Sequence, residues 1–138
     1  MNFSETISLS TKGFTDIIDL TGQVVEVIKR SHIRDGLVTV FCPGSTGAVT
    51  TMEHESGVLS DLKKTIEKLV PSNVTYDHDR CWGDGNGFSH VRAALMKPSL
   101  TIPVVQARLT LGTWQQIVFI DFDNRGRDRN LVVHVMGE

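Results

Sequence analysis

The segment 77–92, DHDRCWGDGNGFSHVR, concentrates side chains that can transfer protons or bind metal ions. Its 16 residues include two His, three Asp, one Asn, one Cys and three Gly. Imidazoles and carboxylates are common protein ligands of zinc and similar ions, and an imidazole also exchanges protons near neutral pH. The flanking runs have the patterns of ordinary helix and strand, so we predict that a loop carries the functional site here.

Two familiar site motifs do not fit this segment. A calcium-binding loop beginning at Asp77 requires glycine at its sixth position, where Trp82 stands. The three glycines are spaced GxGxG and lie outside any strand–helix–strand unit, so they do not form a dinucleotide fingerprint. A nucleophilic Cys81 has no evident activating base. What remains is an acid–base or divalent-metal site built on His78 and His90, which the intervening glycines would allow to converge.

The composition restricts the classes of protein to which the chain can belong. The 138 residues carry a net charge of −2 and a pI of about 6.2, with 40% hydrophobic and 22% charged residues. A protein that binds nucleic acid or a membrane surface needs a basic field, so we expect neither partner. The two Cys lie 39 positions apart without a CxxC motif, and no apolar run is long enough to span a membrane. These features predict a cytoplasmic protein in a reducing compartment.

Hydrophobic periodicity predicts alternating strands and helices in the first half of the chain. Residues 2–9 alternate as a strand, and a helix follows with Thr21 as its predicted N-cap and cations in its last turn. The run 37–42 is apolar and β-branched, as in a buried strand, and strand character resumes over 48–52. The clearest helical pattern covers 56–70 and ends at a proline.

The second half of the chain is predicted to consist mostly of strands. Residues 90–96 fit either a helix or a strand, and from Ser99 onward successive apolar runs predict strands. A run of strands interrupted by few helices is typical of an α+β fold, with helices packed on a largely antiparallel sheet. We expect one domain over residues 1–138.

Two segments have the composition of an anion site as well as that of a turn. Residues 43–47, PGSTG, would let an anion approach backbone N–H groups, but they are also ordinary turn residues. No Gly-Lys-Ser/Thr sequence follows, so the turn is not a nucleotide-binding P-loop. Arg125, Arg127 and Arg129 offer cations for a phosphate, although the alternating charges of their run favour a solvated turn.

Five stretches carry a resemblance to a known family: PGSTGAVTTME, YDHDRCWGDGNGFSHVRAAL, SLTIPV, LTLGTWQQI and the terminal GE. In this order and spacing they resemble the YjbQ-like family, often labelled secondary thiamine-phosphate synthase, and the Gly-Ser-Thr version is similar to its archaeal branch. The resemblance implies a sandwich-like α+β fold and a homotrimer. It also implies an activity that joins a pyrimidine diphosphate to a thiazole phosphate and releases pyrophosphate.

The resemblance also implies roles for individual residues. His78, Asp84 and His90 would be catalytic, and His78, His90 and Glu53 would hold a divalent metal ion, either Mg²⁺ or Zn²⁺. The residues expected to contact a small phosphorylated or anionic metabolite are Ser45, Thr46, Asn86, Arg92, Trp114 and Gln115.

The chain departs from the family pattern at three positions where relatives often carry histidine. Gly44, Gly83 and Phe88 stand there instead. Departure of pyrophosphate requires cations, and the chain lacks a dense basic pocket, so we expect a weak or different activity. One alternative is a non-catalytic trimeric module that binds a metal or an anion. Another is that segment 77–92 mainly contacts another subunit.

Overall fold

Eight strands and four helices make up the chain, and the computed structural model describes residues 1–138. Their bounds are β1 (Asn2–Ser10), β2 (Asp16–Asp19), α1 (Thr21–Ser31), β3 (Gly36–Phe41), β4 (Gly47–Met52), α2 (Ser56–Leu69), α3 (Asp77–Trp82), α4 (Gly87–Met96), β5 (Ser99–Val105), β6 (Arg108–Leu109), β7 (Gln116–Asp121) and β8 (Asp128–Gly137).

The strands form two sheets, in which every neighbouring pair is antiparallel. The larger sheet has the order β1-β8-β3-β5-β6, and the smaller has the order β2-β7-β4. The predicted α+β fold with helices on a largely antiparallel sheet is therefore confirmed. No helix is both long enough and apolar enough to cross a lipid bilayer.

The main core lies between the two sheets, and α1 closes it. Because side chains alternate along a strand, Val38 and Val40 of β3 face inward, where they belong to the same buried cluster as Phe119 of β7. Val24 and Ile28 of α1 join this cluster. The opposite face of β7 packs against α2 and α4, so this strand is buried on both faces. That position explains its continuous apolar sequence.

The outer face of the larger sheet is not covered by any other element of the chain. Leu37 of β3 lies opposite Met136 of β8, and Phe41 lies opposite Val132 in the same register. Leu37 is 43% exposed and Met136 is 50% exposed. This open face therefore carries apolar side chains at positions where a solvated sheet normally carries polar ones.

The start of α1 differs from the sequence prediction. Residues Asp16–Asp19 form the short strand β2, which pairs with β7. Thr21 is the first helical residue, and its hydroxyl accepts a hydrogen bond from the Ile117 backbone N–H at 2.9 Å. Leu20 occupies the N-cap position, so the prediction of Thr21 as the cap is wrong. The hydroxyl pairs with β7 instead, which ties the helix to the sheet.

The segment 77–92 is largely helical, which corrects the prediction of a loop. It contains α3 and the first part of α4. Because α4 continues to Met96, residues 90–96 are helical rather than extended. Asp79 joins the two helices, because one carboxylate oxygen accepts from the Tyr76 N–H at 2.9 Å and the other from the Gly87 N–H at 2.8 Å. Part of the unusual composition therefore serves helix capping rather than chemistry.

Candidate functional site

The imidazoles of His78 and His90 lie against each other between α3 and α4. Their ring centroids are 4.3 Å apart. Nδ1 of His78 is buried and has no hydrogen-bond partner, and it lies 3.4 Å from Oδ1 of Asp84. Buried polar atoms are nearly always paired, so an unpartnered imidazole nitrogen next to a carboxylate indicates a position for a proton or an ion. The fold thus brings together all three residues predicted as catalytic.

The donor atoms around His78 resemble a zinc-type site more than a magnesium site. One ligand atom each from His78, Asp79 and Asp84 lies within 4.8 Å of the others. Asp79 already accepts two backbone hydrogen bonds, which hold the pKa of its carboxyl below the usual range. Asp84 accepts a single bond, from the Asn86 N–H. This group holds one imidazole nitrogen with two carboxylate oxygens and does not include His90. A nitrogen donor suits zinc and similar ions, whereas Mg²⁺ prefers oxygen ligands throughout.

A cleft of about 300 Å³ opens where the 43–47 turn faces α4. His90 and Ala93 line it from the helix, and Gly44 and Ser45 line it from the turn. The Ser45 side chain is exposed and makes no hydrogen bond within the chain. The cleft therefore places a hydroxyl and an imidazole at the same opening, with room for a small polar group between them.

Thr46 and Asn86, both predicted to contact substrate, are buried and do not line this cleft. Thr46 donates through its hydroxyl to Oδ2 of Asp123 at 3.0 Å. The Asn86 side-chain oxygen accepts from the Asn124 N–H at 3.0 Å and also accepts from the Ser89 hydroxyl. These bonds attach the turn and the start of α4 to the end of β7. Both residues therefore hold in place the two elements that line the cleft, without lining it themselves.

Arg92 lies in the interior, with most of its donors directed at other parts of the chain. It is 3% exposed, and its Nε and Nη2 donate to the Val70 carbonyl at 3.0 and 2.8 Å. Nη2 also donates to Glu67 at 2.6 Å, and Nη1 to the Thr15 hydroxyl at 3.2 Å. The guanidinium carbon lies 4.8 Å from the centre of the Phe88 ring. This environment makes Arg92 a link between α4 and the end of α2.

Three predicted site residues lie at the other end of β4. Met52 ends β4 opposite Gln116, whereas Gly47 begins it opposite Asp121. A strand of this length spans about 17 Å, so Glu53 lies well away from the His90 cleft. Within one protomer, the geometry therefore does not support Glu53 as a shared metal ligand with His78 and His90. The carboxylate next to the imidazole of His78 is that of Asp84 instead.

Gln115 lines a larger cavity at this far end, and Trp114, the residue before it, is not part of the lining. Trp114 is 72% exposed. Gln115 accepts from the Gly112 N–H at 3.1 Å and donates to the Thr51 hydroxyl at 2.9 Å, which shapes the turn before β7. The cavity of about 560 Å³ lies between α1 and the β5–β6 hairpin, with Gln115 and Arg108 among its lining residues.

Asp121, Asp123 and Arg129 form a buried charged network that the sequence reasoning did not identify. Arg129 donates through Nε and Nη2 to the two oxygens of Asp121, each at 2.9 Å. This pairing raises the pKa of Arg129. Burial opposes ionisation of Asp123, but hydrogen bonds from Thr46 and Arg127 outweigh it and hold its pKa below the usual range.

The network corrects the prediction of a solvated arginine turn. The Arg129 side chain is only 10% exposed, while Arg125 is exposed as predicted. The available signal was the acid at the end of the apolar run IVFID, because a carboxylate on a buried strand requires a partner. Oδ1 of Asp123 is buried without a hydrogen-bond partner.

The fold and this site define a class: small α+β proteins in which two antiparallel sheets carry an imidazole–carboxylate cluster between short helices. The profile of the family described as "UPF0047 protein YjbQ-like" matches residues 5–138, and the chain belongs to this family. A UPF0047 protein of Archaeoglobus fulgidus is 40% identical over 94% of this chain and 98% of its own length. A second, from Methanothermobacter thermautotrophicus, is 38% identical over 99% and 93%. Both relatives are archaeal, in agreement with the predicted branch.

Solved structures of relatives share the whole fold. A YbjQ-like protein of unknown function from Sulfolobus solfataricus superimposes with a TM-score of 0.95 at 28% identity, covering 100% of this chain and 99% of that one. An uncharacterised YjbQ/UPF0047 protein of Clostridium acetobutylicum has a TM-score of 0.87 at 34% identity, covering 96% and 99%. Neither description names a reaction.

Proposed function

We propose that the chain is an enzyme acting on a small phosphorylated or anionic metabolite in the cleft between the 43–47 turn and α4. The observation that carries this proposal is the pair of adjacent imidazoles, in which a buried Nδ1 of His78 lies unpartnered beside Asp84. A folded domain rarely leaves such an atom unpaired unless a ligand or a proton transfer uses it.

His78 and His90 would exchange protons with the substrate, or His78 would hold a divalent ion of the zinc type together with Asp84. When bound, such an ion supplies Lewis-acid stabilisation of developing negative charge. His90 also lines the cleft, so it would be the imidazole nearer to a bound molecule. Asp84, whose Oδ1 lies 3.4 Å from Nδ1 of His78, would orient that ring.

The finer assignment is a weak reaction of the secondary thiamine-phosphate synthase type. It follows from the family resemblance, and it requires cations that neutralise the departing pyrophosphate. Because Arg92 is engaged with Glu67 and Val70, few cations are available to this cleft. That shortage supports slow turnover or a less highly charged substrate.

We also propose that the protein is a homotrimer in the cytoplasm. The uncovered apolar face of the larger sheet, with Leu37 and Met136, supports self-association. Assembly would also allow Glu53 and Gln115 of one protomer to approach the cleft of another. The two free thiols agree with a reducing compartment.

The enzyme proposal is tested by assaying thiamine-phosphate formation from the two precursors, with Zn²⁺ or Mg²⁺ added. Removing a group that acts in proton transfer lowers rates by about 100-fold or more, so we expect His78→Ala and His90→Ala to lose at least that much. His54→Ala, an exposed histidine on the segment before α2, is the matched control and should retain the rate. Equal rates in all three folded variants would contradict the assigned roles.

A non-catalytic binding module is the second candidate, favoured by the family histidine positions that this chain lacks. Phe88 is buried beneath Arg92 and offers no ligand, and Gly44 and Gly83 have no side chain. Calorimetric titration with Zn²⁺ and with phosphorylated metabolites separates the two candidates. Tight binding of a metabolite that remains chemically unchanged would favour the module, whereas its conversion would favour the enzyme.

A further inference from the structure

Arg129 lies directly beneath the 43–47 turn, and one edge of its guanidinium, the Nη1 amino group, is unused. We propose that this edge and the turn form a phosphate subsite, which anchors the phosphoryl group of the metabolite. The inference rests on the proposed function, since it names the anionic end of the same substrate. Arg129 would be the cation that works together with the 43–47 turn, which the sequence predicted as a possible anion site.

The orientation of Arg129 is determined by Asp121. Nε and Nη2 form a two-pronged pair with the carboxylate, and Nη2 also donates to the Thr46 hydroxyl at 2.7 Å. Nη1 makes no hydrogen bond within the chain. An arginine held on one side by a carboxylate presents its remaining N–H groups in a rigid plane, which is the arrangement that binds phosphate oxygens well.

Gly44 leaves this edge of Arg129 uncovered. Its φ of +120° favours glycine, and a Cβ added there would lie 3.3 Å from Nη1 of Arg129. Any side chain at this position would therefore cover the guanidinium edge. The absence of the family histidine at Gly44 thus has a structural consequence: it removes an imidazole and opens access to a cation.

The backbone of the turn adds further donors. The N–H groups of Gly44, Ser45 and Thr46 donate no hydrogen bond within the chain, whereas most backbone donors of a folded protein are paired. The Ser45 hydroxyl is also free, and Ser45 lines the cleft together with His90. Successive unpaired N–H groups in a turn of small residues are a common anion-binding arrangement.

The nearby carboxylates do not cancel this subsite. Asp121 accepts from the Thr11 hydroxyl at 2.6 Å and the Asp123 N–H at 2.9 Å, in addition to Arg129. Asp123 accepts from Thr46 and Arg127. Both carboxylates are therefore buried and hydrogen-bonded, with only Oδ1 of Asp123 unpartnered, while Nη1 lies next to Gly44 of the turn.

The test is calorimetric titration of the metal-free full chain with inorganic phosphate. Gly44→Ala places a methyl group over Nη1 and leaves the bonds between Arg129 and Asp121 intact. Gly83→Ala is the matched control, because Gly83 also has a positive φ, +68°, with no atom within 4 Å of an added Cβ. Loss of a charge-assisted hydrogen bond weakens binding by about tenfold or more, so we expect that decrease in Gly44→Ala and no change in the control.

Arg129→Lys gives a second measurement, since it retains a cation for Asp121 but removes the planar edge. We expect phosphate binding to weaken by at least about tenfold there too. Wild-type protein that does not bind phosphate, or equal affinity in wild type and Gly44→Ala, would overturn the proposal. His78→Ala should bind phosphate normally, because His78 is not part of this subsite. A failed turnover assay would therefore not contradict the subsite. In the same way, absent phosphate binding would not contradict the roles assigned to His78 and His90.

Discussion

The two ends of β4 border different kinds of cavity. At its beginning, next to Gly47, lie an imidazole, a free hydroxyl and a buried network of carboxylates and guanidinium groups. At its end, beyond Met52, the cavity is larger and its polar contacts are neutral, apart from Lys29 and Arg108 on its lining. The first cavity therefore has groups that can transfer protons and bind charge, whereas the second could select a ligand mainly by its size and shape.

This difference explains why the family's polar pattern does not converge within one protomer. Residues from both ends belong to the pattern, yet about 17 Å of strand separates them. A small metabolite cannot contact both ends at once. Under the proposed function, the chemistry would belong to the first cavity, and the second would contribute to it only through another protomer of the proposed trimer.

The largest expected effect comes from breaking the charged network at the first cavity. Asp121→Ala leaves Arg129 buried without its partner, and such a change costs about 3–5 kcal/mol of unfolding free energy. Urea denaturation followed by circular dichroism measures this loss. A decrease below about 0.5 kcal/mol would mean that the network does not stabilise the fold, since ordinary surface substitutions have effects of that size.

Replacing Arg92 separates a structural from a substrate-binding role. Arg92→Met keeps much of the side-chain volume but leaves the Val70 carbonyl without its donor, so we expect a loss of about 2 kcal/mol in unfolding free energy. Phosphate and zinc affinities should remain at wild-type values in calorimetry. If the variant had unchanged stability but weaker phosphate binding, Arg92 would contact the substrate, as the sequence predicted, and would not be structural.

Lowering the pH should reduce the free energy of unfolding through protonation of Asp123, which lies in the charged network next to the first cavity. Because its pKa is lower when folded than when unfolded, the unfolded chain takes up the proton first as the pH falls. Its contribution to stability is present above about pH 4 and is lost as the pH falls through the folded pKa. Asp123→Asn should flatten part of this decline in denaturation curves, whereas exposed Asp61→Asn should leave it unchanged.

The smallest effect is expected at the second cavity. Gln115→Ala removes two exposed hydrogen bonds, so we expect a loss of only about 0.5–1 kcal/mol. A double-mutant cycle with Thr51→Val isolates the bond between these side chains. A loss comparable to that of Asp121→Ala would abolish the distinction between the two ends of β4.

The elements and the fold class could be read from local patterns. The helix that begins at Ser56 and the strands β3 and β4 follow from apolar spacing, which acts within a few residues. The short strand β2 could not be predicted, because four residues pair only when β7 is beside them. The same limit applied to Thr21, whose hydroxyl bonds to β7 rather than to its own helix.

The amino-acid sequence shows which chemical groups are present: the imidazoles of His78 and His90, the small residues of the 43–47 turn and the lack of a basic pocket. Which of these groups can reach a ligand follows from the folded structure. It directed Asp79 and Arg92 to structural bonds, separated Glu53 from the imidazoles and buried Arg129 with one edge free. The physical reason is that hydrogen-bond partners far apart in sequence determine whether a polar side chain supports the fold or faces a ligand.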